Sequence, residues 1–233
     1  AMAEAKNSGI LCEGVKKTYV IKDVETKALR GVDLSIEKGE FTALAGPSGS
    51  GKTTLLNIVG GLDKPDSGRV KLDELELTEL PQSALSDIRL ARMGFVFQAY
   101  NLIPVLSAIE NVEYVLLLQG SPADERRSMA EKMLEEVGLG EMMHKKPMEM
   151  SGGQQQRVAV ARAIVHEPEI VLADEPTANL DSKTSEGLLG LMREMNEKKN
   201  VTFLFSTHDN LVMEHAKRLV GIRDGVIDSD EVR

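Results

Sequence analysis

The chain has 233 residues, with 28 Lys and Arg against 37 Asp and Glu and a formal charge of −9; that balance argues against nucleic acid as the main partner, because holding a phosphate backbone takes a basic surface. Hydrophobic residues make up 42% and aromatics only 3%, with no Trp, so the core of an α/β domain this long must be assembled from Val, Ile, Leu, Ala and Met. The single cysteine, Cys12, excludes an internal disulfide and fits a reducing compartment, while apolar runs such as Val115–Leu118 fall far short of the roughly 18 residues that cross a bilayer. Ala1–Gly9 is small and polar, without the apolar centre of a signal peptide, and Ala1 ahead of Met2 reads as a remnant of cloning. Cys12 is expected in a buried strand, without a role.

In chain order, Ile10–Ala45 reads as strands. Val32, Leu34 and Ile36 alternate with polar neighbours, Lys38-Gly39-Glu40 turns the chain, and Phe41–Ala45 is a short buried run ending at Gly46. Thr53–Val59 continues as a helix. Gly60-Gly61 and Pro65-Asp66-Ser67-Gly68 are turn signals ahead of a strand at Arg69–Leu72. Ala91–Phe97 reads as a strand ending at Gln98. From Leu106 to Met150 the pattern is helical: Ser107 with Glu110 signals a cap, and Pro122–Val137 places Met129, Met133 and Val137 on one face before Gly138. Ser151–His166 is a helix, Glu169–Ala173 a buried strand, Ser182–Lys198 a helix, Val201–Ser206 a buried strand and Asp209–Ala216 a helix. Leu219–Arg223 and Val226–Asp228 form a hairpin around Asp224-Gly225. Strands alternating with helices predict a mainly parallel sheet covered on both faces. One domain over 1–233 is expected, with a β-rich subdomain from 10–45 and 65–75 and a helical one from 106–150 running into 151–166.

Two segments carry the chemistry. Gly46-Pro-Ser-Gly-Ser-Gly51-Lys52-Thr53 fits GxxxxGK[ST] between a strand and a helix, where backbone N–H groups and the helix N-terminus hold phosphate oxygens. Lys52 would bridge the β- and γ-phosphates, and the Thr53 hydroxyl would hold Mg²⁺. Strand 170–173 ends in Asp174 and Glu175; Asp174 would orient Mg²⁺ and Glu175 would polarise a water as general base. Gln98 and His208 also stand at strand ends. The Gln98 amide could reach Mg²⁺ and the water, and the His208 imidazole a γ-phosphate oxygen; His144, His166, His215 and the methionines of 142–150 are taken as structural or contact residues. The second segment, Ser151-Gly152-Gly153-Gln154, begins a helix as a further anion site. The phosphate within one chain is already held by Gly46–Thr53, so Ser151 and Gly153 are expected to face the nucleotide of a second copy. Two-fold pairing then yields two identical composite sites.

The whole chain resembles the ATP-binding subunit of ABC transporters, with six motifs in the family's order: Gly46–Thr53 as Walker A, Asp174-Glu175 as Walker B, Gln98 as the Q-loop, Ser151–Gln154 as the signature, Asn179-Leu180-Asp181 as the D-loop and His208 as the switch histidine. Met150 stands where the family usually has Leu ahead of the signature, a change between apolar side chains of similar volume. The resemblance implies a P-loop NTPase fold with an antiparallel β-subdomain and an inserted helical subdomain. It implies ATP and Mg²⁺ as cofactors and hydrolysis by Glu175, His208, Gln98 and Lys52. Nucleotide contacts fall on Tyr19 (stacking on adenine), Gly46, Pro47, Ser48, Gly49, Ser50, Gly51, Lys52, Thr53, Thr54, Gln98, Ser151, Gly153, Gln154, Asp181 and His208, and metal contacts on Thr53, Gln98 and Asp174.

As partners it implies a second copy closing around ATP and a transmembrane permease subunit whose coupling helix docks beside Gln98, which places the chain on the cytoplasmic face of the inner or plasma membrane. The segments PSGSGKTTLLNIVGGLDKPDSG, FVFQAYNLIPVLSAIENVE and SGGQQQRVAVARA resemble the lipoprotein-release and macrolide-export subfamily. The alternative is an ATPase of the same type that regulates a membrane protein signalling to cell-wall enzymes without transport.

Overall fold

The structure, a computed structural model, describes residues 8–233; the leader-free reading of Ala1–Gly9 and the cloning remnant at Ala1 lie, apart from Ser8 and Gly9, outside the described residues. β1 (Ser8–Ile21) and β2 (Val24–Glu37) form a long antiparallel hairpin. It turns through Lys22 and Asp23 at φ 48° and 66°, the geometry whose twist matches that of the strands. Val32, Leu34 and Ile36 face inward as their alternation predicts, and Cys12 on β1 is buried beside them. β4 (Ser67–Leu72) and β5 (Leu75–Glu76) complete a four-stranded antiparallel sheet in the order β2-β1-β4-β5.

The second sheet combines β3 (Phe41–Ala45), β6 (Met93–Phe97), β7 (Ile170–Asp174), β8 (Thr202–Thr207), β9 (Arg218–Arg223) and β10 (Val226–Val232) in the order β10-β9-β3-β8-β7-β6. Every pairing is parallel except the β9–β10 hairpin, which turns at Asp224-Gly225 as expected. The period of two along its strands divides the core. Phe41, Ala43, Val171, Ala173, Phe203 and Phe205 face one hydrophobic cluster, and Leu44, Ile170, Leu172 and Leu204 face the other. On the first side lie α3 (Ala108–Leu118), α4 (Ala123–Glu136), α5 (Gly152–Ile164) and α6 (Ser182–Lys199); on the second lie α1 (Lys52–Val59) and the antiparallel sheet. With no Trp and few aromatics, the three buried Phe side chains gather at one place: the Phe41 ring centroid lies 4.6 Å from Phe205 and 5.5 Å from Phe203, within the range of favourable tilted aromatic pairs.

Three expectations are corrected. Phe41–Ala45 pairs with β8 and β9, so it belongs to the parallel sheet and the antiparallel layer stops at Glu37. Ala91 and Arg92 close a helix, α2 (Gln82–Arg92), and the strand starts only at Met93. That helix has no counterpart in the sequence reading. Leu85 is the one fully buried side chain it contributes, so its apolar stripe is thin. The block 106–150 is helical as expected but ends in two single 3₁₀ turns, Gly140–Met142 and Pro147–Glu149. Among its methionines, Met142 and Met143 pack on the core and Met150 is buried within it, while Met148 is 91% exposed. α7 (Asn210–His215) follows β8, capped by the Asp209 carboxylate. No helix among the described residues is long and apolar enough to cross a membrane.

Candidate active site

Four adjacent parallel strands end on one edge of the sheet, and each carries a predicted residue at its carboxyl end. β3 leads into Gly46, β8 into His208, β7 into Asp174 and Glu175, and β6 into Gln98. That edge is where open parallel sheets bind ligands. A cavity of about 480 Å³ opens there, lined by Tyr19, Ser48, Gly49, Gly51, Lys52, Thr53, Thr54, Gln98, Asp174, Glu175 and His208.

The loop from Gly46 to Gly51 owes its shape to close packing as much as to flexibility. A Cβ on Gly46 would lie 2.1 Å from the Ile222 carbonyl oxygen of β9. Gly51 sits at φ 106° as the N-cap of α1, and a Cβ there would meet the Ala28 carbonyl at 2.6 Å. The loop is bolted to the β9–β10 turn by Gly225 N–H donating to the Ser50 carbonyl at 3.0 Å. A Cβ on Gly49, by contrast, would meet nothing within 4 Å, so that glycine leaves open room for an anion. Lys52 is buried, and its Nζ donates to the Gly46 and Pro47 carbonyls at 2.7 and 3.0 Å. Burial pulls its pKa below the ordinary lysine value, against the pull of the Glu175 and Asp174 charges; the ammonium is thus poorly hydrated and primed for an anion.

Thr53 Oγ1 donates to both Asp174 carboxylate oxygens, at 3.1 and 3.2 Å. A hydroxyl and a carboxylate side by side, with the Gln98 amide on the same cavity, form an oxygen set suited to a hard divalent cation. No three His, Cys, Asp or Glu side chains cluster as ligands among the described residues, and a magnesium ion that also takes phosphate and water oxygens needs only one or two protein oxygens. Glu175 stands at φ 46° with its N–H held by the Ser206 carbonyl at 2.9 Å. Left-handed backbone is costly for a side chain of this kind and gathers at functional positions. Glu175 Oε1 lies 2.7 Å from His208 Nδ1, so the two expected catalytic groups are in direct contact. Tyr19 lines the cavity wall, its hydroxyl donating to Asp63 at 2.8 Å and its ring 5.2 Å from Lys17 Nζ. Burial and the Asp63 hydrogen bond raise the Tyr19 pKa. Thr26, opposite Tyr19 on the hairpin, and the following Lys27 and Ala28 also line the cavity; the sequence reading missed them, because it took 10–45 as strands without fixing how they pair.

Ser151, Gly153, Gln154 and Asp181 lie outside this cavity. Ser151 is exposed and caps α5 in a capping box: its Oγ accepts from Gln154 N–H at 3.3 Å, and its own N–H donates to Gln154 Oε1 at 2.9 Å. Gly153 presses on α6, where a Cβ would meet Thr184 Cγ2 at 2.3 Å. Asp181 caps α6, accepting from Thr184 N–H at 3.0 Å and Thr184 Oγ1 at 2.6 Å, which holds its pKa below the usual carboxylate range. The structure therefore brings eleven of the predicted site residues to one edge and leaves the Ser151 helix start separate and exposed.

Residues 29–178 match the family described as "ABC transporter". The chain is 45% identical over 218 residues to the lipoprotein-releasing system ATP-binding protein LolD of Anaeromyxobacter dehalogenans, covering 93% of this chain and 91% of that one. It is 44% identical to the macrolide export ATP-binding/permease protein MacB of Syntrophobacter fumaroxidans, over 94% of this chain but only 31% of that longer protein. Its fold superposes with a TM-score of 0.89, at 42% identity and over 96% of this chain and 98% of the other, on a dimeric post-hydrolysis state of the ATP-binding cassette MJ0796 bound to ADP and Pi; MJ0796 is a protein of Methanocaldococcus jannaschii. A glycine loop, two carboxylates, a glutamine and a histidine at adjoining strand ends, together with these similarities over nearly the whole length, place this chain in the ABC transporter family.

Proposed function

We propose that two copies of this chain close around ATP and Mg²⁺ and that hydrolysis drives a transmembrane permease at the cytoplasmic face of the membrane, in lipoprotein release or macrolide-type export. The observation that carries it is the division of the site. Lys52, Thr53, Asp174, Glu175, Gln98 and His208 share one cavity, while the Ser151 helix start stands outside it, exposed. A nucleotide on the first set leaves the γ-phosphate side open for the Ser151 of a second copy, and isologous pairing satisfies both. In that site Thr53 and Asp174 would hold the cation, which would supply charge to offset that of the phosphates. Glu175 takes the proton of the attacking water, and His208, in contact with Glu175 Oε1, orients that carboxylate and faces the γ-phosphate oxygens. Similarity to LolD and MacB supports the choice of cargo class.

The permease contact is assigned to a groove of about 380 Å³ between the sheet edge and the helical block, lined by Leu62, Arg89, Leu90, Phe95, Val115 and Arg162. It abuts the segment after Gln98, since Arg162 donates to the carbonyls of Tyr100 and Asn101. The test is Glu175→Gln: the variant binds ATP and runs as a dimer on size exclusion only when ATP is present, and a chain that stays monomeric with ATP would sink the shared-site reading.

A further inference from the structure

Gln156 lies on α5 one turn past Ser151 and is fully buried. Its Nε2 donates to the Pro176 carbonyl at 2.6 Å and more weakly to the Phe97 carbonyl at 3.4 Å, while its Oε1 has no partner. Both neighbours are acceptors, so the amide nitrogen must face them. Stability does not account for this side chain. The amide satisfies the Pro176 carbonyl and leaves its own oxygen bare, exchanging one bare acceptor for another. What it does is tie three segments together. Pro176 follows Glu175 and Phe97 precedes Gln98. The next residue along, Thr177, donates through Oγ1 to Asp209, the neighbour of His208, at 2.9 Å. Asn179 holds the Gln98 carbonyl at 2.9 Å.

We propose that Gln156 is a positioning residue that registers the Ser151 helix against the strand ends bearing Glu175 and Gln98, so that a helix serving the partner's nucleotide moves with the catalytic groups of its own chain. The proposal rests on the shared-site reading. Coupling needs an element that both sites bias, and α5, tied to the Glu175 and Gln98 strand ends by the Gln156 amide, fits that description.

The experiment compares Gln156→Leu and Gln156→Glu with the wild type in ATP turnover. Leu removes the donor, so kcat falls roughly tenfold, as for a lost interaction of about 1.4 kcal/mol felt only in the reacting state, while KM for ATP moves less than about twofold. In Gln156→Glu a carboxylate would face two carbonyl oxygens, so burial favours the neutral acid, whose O–H donates to Pro176 as the amide did. Its turnover relative to wild type therefore rises as pH is lowered from about 8 to about 6. A merely structural role would lower the thermal unfolding midpoint of Gln156→Leu together with its turnover, whereas a positioning role lowers kcat in a chain that unfolds like the wild type. Wild-type kcat in Gln156→Leu, or a Gln156→Glu ratio flat with pH, overturns the proposal. The Glu175→Gln dimer separates the two readings. If it forms with ATP and Gln156→Leu is unimpaired, this inference alone fails. If it does not form, the shared site fails and takes the coupling with it.

Discussion

Lys52 illustrates how a single residue is prepared for its task. Its ammonium is sunk in the loop on two carbonyls, and desolvation lowers its pKa. A charge-assisted contact to phosphate in such a place is worth about 1.5–3 kcal/mol, so Lys52→Ala should weaken ATP binding roughly ten- to a hundredfold by calorimetry; unchanged affinity would contradict its role. Cys12 is the opposite case. Burial, aided by Asp33, pushes its thiol up to about 12, so it stays protonated and inert in the folded chain. Between the ordinary thiol value of 9.0 and about 12 only the unfolded chain ionises, so this group lowers stability as pH rises through that window and has no effect below it. Thiol-labelling reagents at neutral pH should react with Cys12 only under denaturant, and prompt labelling of the native protein would contradict its burial. The motif residues that line the cavity were legible because Asp174, Glu175, Gln98 and His208 stand at the carboxyl ends of strands and Lys52 and Thr53 follow a glycine loop. Gln156 was not, because its partners Phe97 and Pro176 lie 59 and 20 residues away. The one hint was a polar side chain one turn before Val160 in a helix whose following residues are buried on nearly every side.

Among the elements, the helices that were legible are those with a written start. Ser107 and Glu110 form the expected capping box on α3: Glu110 Oε2 accepts from the Ser107 N–H and Oγ, both at 2.8 Å. These bonds depress the Glu110 pKa, so its contribution is present above the unfolded carboxylate value and is lost as pH falls through the lowered folded one. Ser107→Ala should cost about 1 kcal/mol in denaturant unfolding, with the difference from wild type shrinking in acid; an unshifted midpoint would show that α3 is held by packing alone. α2 escaped notice because its start is Pro81, without a side-chain cap, and only Leu85 is fully buried. Its end merges directly into β6 at Met93, so the apolar run over Ala91–Phe97 concealed the change of period. Tertiary support at that junction is ionic: Arg92 Nε and Nη2 pair with Glu169 at 2.6 Å each, and Nη2 also reaches Asp73 at 2.8 Å. No local pattern announces partners so distant in sequence.

At the scale of the molecule, the sheet order β3-β8-β7-β6 places the loop, the histidine, the two carboxylates and the glutamine side by side, and the same topology sends the Ser151 helix start elsewhere. Under the proposed pairing each chain carries one half of two composite sites. This arrangement predicts complementation. In a mixture of Lys52→Ala and Ser151→Ala chains, a dimer holding one of each places both lesions in the same composite site, because the damaged loop of one chain meets the damaged helix start of the other. Its second site then has an intact Lys52 and an intact Ser151. Either variant alone damages both sites, whereas random mixing makes about half the dimers mixed, each with one sound site, so turnover should recover to about a quarter of wild type under isologous pairing. Were Ser151 to serve its own chain, each chain of the mixed dimer would carry its own lesion into its own site. Mixing would then recover nothing above the average of the two variants, an outcome that a steady-state ATPase assay on mixed and unmixed samples distinguishes directly.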